Sequence, residues 1–142
     1  MRGNVLGILT VASLALTPAT AMAASVKLVA TLDGASETSG GDPDGTGRFS
    51  AEIDAETGDV CYVLVANKIA KPVAAHIHAG AAGTDGAPVV TVEVTGPDGD
   101  LCMAVEPDVL KPIVAGPEGY YVNVHTADFP KGAVRGQLAK GQ

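Results

Sequence analysis

Between Val26 and Ala139 apolar and polar residues alternate in short runs, and clusters of Gly, Pro, Asp and Asn separate the runs. A repeat of two places successive side chains on opposite faces of a strand, so each run reads as a half-buried β-strand. The pattern predicts strands near 26–33, 46–54, 59–67, 73–79, 88–95, 100–105, 119–126 and 133–139. Asp54–Gly58 (DAETG) reads as a hairpin connection ending in glycine, and Gly96–Gly99 (GPDG) as a second turn. Only Pro107–Ala115 (PDVLKPIVA) suits a helical turn, which Pro112 is expected to keep short. No internal repeat and no second domain is visible. The predicted class is all-β: an antiparallel, Greek-key-like β-sandwich of about eight short strands, with one helical turn near 107–115.

Residues 1–23 read as a processing segment. Met1-Arg2 supplies a positive start, Val5–Leu16 is apolar and uncharged, and Ala21-Met22-Ala23 places small residues before a cleavage point at Ala24. That is the pattern of a secretory signal peptide, too short to span a bilayer. The expected product is one exported domain over 24–142, periplasmic or secreted, with no lipobox cysteine and no membrane span. Removing the signal leaves eight basic and sixteen acidic side chains, a balance poorly suited to nucleic acid or an anionic membrane. Cys61 and Cys102 form an even pair, which in an exported protein reads as a disulfide, with two buried free thiols as the alternative.

Candidate chemistry concentrates on three strands. His76 and His78 share one face of 73–79, Tyr121, Asn123 and His125 share one face of 119–126, and Arg135 and Gln137 share one face of 133–139. If these strands are neighbours, seven polar groups meet on one surface. Three imidazoles suit zinc or copper, provided their nitrogens lie within about 4 Å of one another. A His-x-His pair on an exported sandwich is similar to copper,zinc superoxide dismutases, but that family needs further histidines and an aspartate absent here. The alternative is bracing: imidazoles that hydrogen-bond backbone carbonyls, Asn123 and Gln137.

Other sites fare worse. Ser36–Gly47 (SETSGGDPDGTG) reads as a long solvated loop, since it lacks the twelve-residue oxygen series of an EF-hand. No serine sits in a strained glycine elbow, and Gly80, Gly83 and Gly86 do not have dinucleotide-binding spacing.

The segments AAHIHAGAAGTDGAPVVTVEV and GYYVNVHTADFPKGAVRGQL, taken in order, resemble the CHRD (chordin) domain. The leading ATLDGASETSGGDPDGTGRFSAEIDAETGDVCYVL matches as well, so the resemblance covers residues 26–139. It implies an exported β-domain and supports a bridge between Cys61 and Cys102. Ala133 stands where many members carry an acid, so Arg135 is expected to find another partner, such as Asp128 or a carbonyl. The resemblance implies a non-enzymatic extracellular binding module, its partner an unknown protein or glycan, with no cofactor expected. A histidine-ligated copper or zinc protein with redox activity is the competing expectation.

Overall fold

A computed structural model describes residues 24–142; the signal-peptide reading of 1–23 lies outside the described residues. Nine strands follow the chain: β1 (Val26–Asp33), β2 (Thr46–Asp54), β3 (Asp59–Asn67), β4 (Pro72–Ala79), β5 (Pro88–Val92), β6 (Leu101–Ala104), β7 (Tyr120–Thr126), β8 (Val134–Gln137) and β9 (Ala139–Lys140). Helix α1 (Pro107–Ala115) and a 3-10 turn (Pro117–Gly119) separate β6 from β7. Every pairing is antiparallel, as the all-β expectation requires.

The ladder runs without interruption in the order β5-β4-β7-β8-β1-β2-β3-β6, and β9 pairs with β1 beside β8. Such a sheet curls over itself because each strand is rotated against the last, and the two layers of the core come from one continuous surface. Alternation decides what enters that core. Leu28, Ala30 and Leu32 of β1, Phe49, Ala51 and Ile53 of β2, and Val60, Tyr62 and Leu64 of β3 all point inward. Ala75 and Ile77, Val90 and Val92, and Val122 and Val124 do the same from the other half, and all join one hydrophobic cluster.

Helix α1 starts with a proline at its first turn, where no backbone N–H is needed, and adds Leu110 and Ile113 to the core. Pro112 does not end it. The helix spans the expected 107–115, nine residues with Pro112 inside it and Ile113 buried.

The limits of β4, β6 and β7 differ from the sequence reading by one residue at one end or both, and two segments differ by more. β5 ends at Val92, after which the Thr95 and Gly96 amides donate to the Leu64 carbonyl instead of extending the β4 ladder. The segment 133–139 is divided at Leu138. Gln137 is still opposite Tyr121 on β7, whereas Ala139 faces Val29 on β1. Cys61 and Cys102 are directly opposed across β3 and β6 and form a disulfide.

Candidate functional site

Sheet order makes β4, β7 and β8 neighbours, so their polar faces meet. His76 lies opposite Asn123, and His78 opposite Tyr121; on the other side of β7, Asn123 lies opposite Arg135 and Tyr121 opposite Gln137. This surface is only partly open to solvent, with His76, His125 and Gln137 half-buried. Turns at 34–45, 80–87 and 127–132 fold over it, and His78, Tyr121, Asn123 and Arg135 are all buried.

The three histidines form one cluster. One ring nitrogen from each lies within 4.8 Å of the others, and His76 Nδ1 is 3.2 Å from His125 Nε2. The His76–His125 pair already has the spacing that two ligands of one ion need. The full set, at up to 4.8 Å, is wider than the 4 Å requirement by less than 1 Å.

Two backbone carbonyls set the rings. His78 Nδ1 is 2.8 Å from the Gly86 oxygen, and His125 Nδ1 is 3.0 Å from the Pro130 oxygen. A carbonyl only accepts, so in each neutral ring Nδ1 carries the proton and Nε2 presents a lone pair. His78 Nε2 is buried with no hydrogen-bond partner. Carbonyl bracing is therefore present for two of the three rings, and it is the same outer support that metal-binding histidines need. Burial, followed by the neighbouring imidazoles His125 and His78, lowers the pKa of His76. Burial also lowers that of His125, opposed by its bond to Pro130 and reinforced by His78. Both rings are held towards the neutral form that coordinates metal.

Arg135 finds neither Asp128 nor solvent. Its Nη1 donates to Asp85 Oδ1 at 3.1 Å and its Nη2 to the Thr84 carbonyl, while the guanidinium carbon sits 3.4 Å from the Tyr121 ring centroid. The Tyr121 ring in turn stacks on His78 at 4.8 Å between centroids, with only 7° between the planes. Thr38 Oγ1 donates to the same Asp85 oxygen at 2.6 Å. The 80–87 turn, which carries Gly86, is thus fastened to β8 by an arginine and to the 34–45 segment by a threonine. Gln137 braces the opposite end, where its Nε2 lies within 2.8 Å of the Gly80, Glu118 and Tyr120 carbonyls. Neither Gln137 nor Asn123 hydrogen-bonds a histidine, so that part of the bracing expectation is not met.

These motifs, HIH, YVNVHT and RGQL, now stand as adjacent strands of one covered surface. The sequence matches the family model of the CHRD domain over residues 28–138. The chain belongs to the CHRD domain family. No curated protein and no solved structure matches it. Within the CHRD domain, the matched region contains all three histidines, both cysteines and the whole polar surface.

The residue missed in the sequence is Glu37. Read as part of a solvated loop, it is 7% exposed and packs over Gly132, whose φ of 145° and missing side chain leave room for the carboxyl. Burial raises its pKa to about 7, against Arg135 and a hydrogen bond from Asn123, which lower it, and with Asp85 raising it slightly. A carboxyl with a raised folded pKa stabilises the fold fully below its unfolded value of 4.5, and that contribution is lost as pH rises through about 7. His76 and His125, whose pKa values are lowered, act in the opposite sense, so the informative quantity is the difference between wild type and Glu37→Gln. Glu37→Gln is expected to gain roughly 2–3 kcal/mol on wild type between pH 5 and pH 8. Urea unfolding of both proteins at the two pH values checks this; a constant difference would place Glu37 in water.

Proposed function

We propose that this CHRD domain is an exported, non-enzymatic binding protein whose ligand is a transition-metal ion, copper or zinc, held by His76, His78 and His125. The observation that carries the reading is the convergence of three imidazoles, two with Nδ1–H committed to backbone carbonyls and lone pairs left on Nε2. An imidazole set selects zinc or copper over calcium or magnesium, which require oxygen ligands. Three protein ligands leave an open position on the ion. Copper(II) is the tighter-binding of the two on such donors. An exported address is supported by the Cys61–Cys102 disulfide, a bond that persists in oxidising compartments.

Metal analysis of the purified protein, with calorimetric titration of copper(II) and zinc into the stripped protein, tests the reading. One ion per chain is expected. The triple variant His76→Ala/His78→Ala/His125→Ala should bind none, and His78→Ala alone should weaken binding more than about 100-fold. Equal binding by wild type and the triple variant would end the proposal. A second reading, engagement of a protein or glycan, draws on the exposed Val73 and Val89 beside edge strand β5. It predicts that Val73→Asp abolishes partner capture while leaving metal uptake intact.

A further inference from the structure

Three buried side-chain atoms among the described residues have no hydrogen-bond partner: Glu37 Oε1, His78 Nε2 and Asn123 Oδ1. They belong to residues exposed by 7%, 9% and 2%. All three residues border one cavity of about 270 Å³, whose wall also includes Ser39, Asp85, Gly86, Tyr121 and Lys131. Unpaired polar groups at this depth are costly, and native proteins keep few of them, so three around one cavity point to a ligand.

Their chemistry selects what that ligand is. A carboxylate and an amide oxygen accept hydrogen bonds, and so does an imidazole nitrogen whose partner nitrogen holds the proton. An anion would meet three acceptors there, so these atoms select a hydrogen-bond donor. A single water has two donors for three acceptors, so it would take more than one to satisfy them. A primary ammonium has three donors and a positive charge to set against Glu37. The other acid on the wall, Asp85, is already engaged by Arg135 and Thr38. The cavity exceeds the roughly 30 Å³ share of one water several times over, which leaves room for a short carbon tail.

We propose that this cavity is a binding site for the primary ammonium group of a small amine, received by Glu37, Asn123 and His78. Lys131 is exposed at the rim and unpaired in the structure, so its own ammonium is the natural competitor. The amine site stands on the three unpaired acceptors and not on the metal reading. The two are linked, because His78 Nε2 serves both, and ion and amine therefore oppose each other's binding.

The test is titration of the metal-free protein with methylammonium chloride, followed by amide and side-chain NMR shifts, with tetramethylammonium as a cation lacking donors. Methylammonium is expected to give saturable shifts at Glu37, Asn123 and His78, and tetramethylammonium none. Glu37→Gln, which preserves the shape of the side chain, should weaken binding at least tenfold. Binding seen only in Lys131→Ala would also support the site, with the lysine as its resident ammonium. No saturable binding in either wild type or Lys131→Ala overturns the proposal, as does equal binding of the two cations. A zinc-loaded sample, its loading verified separately, should bind methylammonium more weakly; unchanged affinity would refute the shared nitrogen. If zinc does not bind at all, the metal-free titration still decides the amine site.

Discussion

Gly86→Ala is expected to lose at least about 3 kcal/mol of stability and to weaken metal binding at the same time. A β-carbon at this position would lie 1.4 Å from the Ala79 carbonyl oxygen. The obstacle is backbone, so no side-chain rotation relieves it. The turn would have to move away from β4, which disturbs the bond from the Ala79 amide to the Ala87 carbonyl. It would also displace the Gly86 carbonyl from His78 Nδ1 and the Gly86 amide from the Tyr121 hydroxyl. Loss of such an outer partner costs a metal site about 10–100-fold in affinity. Gly83→Ala is the control. That residue has φ of 77° but nothing within 4 Å of the added carbon, so only a backbone cost of about 1 kcal/mol is expected. Urea unfolding and zinc titration of both variants check the pair; equal losses in stability would mean that the clash at Gly86 is absorbed elsewhere.

Removing the disulfide is the second large effect. Cys61→Ser/Cys102→Ser is expected to cost about 3–4 kcal/mol, since the bridge closes a separation of 41 residues in the unfolded chain. The loss should be confined to one side of the molecule. β6 is a four-residue edge strand whose ladder is formed with β3 alone, while the histidines lie on β4 and β7 near the opposite end of the sheet. Unfolding with and without reductant should reproduce the double variant, and metal affinity should stay at the wild-type value. A loss below about 1 kcal/mol would show that α1 and the flanking turns hold the edge without the bridge.

Strands were legible wherever one face is buried and the other wet. β1, β2 and β3 fall on the predicted residues because Leu28/Ala30/Leu32, Phe49/Ala51/Ile53 and Val60/Tyr62/Leu64 keep strict alternation. The histidine face was legible for the same reason, since residues two apart in a strand share a side. The cover over that face was not. Glu37 and Asp85 lie in polar, glycine-rich turns whose composition is that of exposed loops. Glu37 becomes buried only because Asp42 N–H bonds the Ala133 carbonyl and Gly41 N–H bonds Gly34, folding the turn inward. Arg135 was expected to meet Asp128 or a carbonyl; it meets the Thr84 carbonyl and, across 50 residues, Asp85 in place of Asp128. Long-range contacts of this kind leave no local pattern.

The strand order also dictates when the histidine surface can exist. β1, β2 and β3 are consecutive hairpin neighbours and can pair as soon as they emerge from the ribosome. β4 is different: on its inner side it waits for β7, more than 40 residues later, and β7 needs β8 to reach β1. Pairings between such distant segments form slowly, because the intervening chain must be ordered first. The half bearing His76 and His78 therefore cannot assemble until nearly the whole chain has been synthesised, and the final strands close the seam between the two halves. A domain built this way stays incomplete through most of its translation.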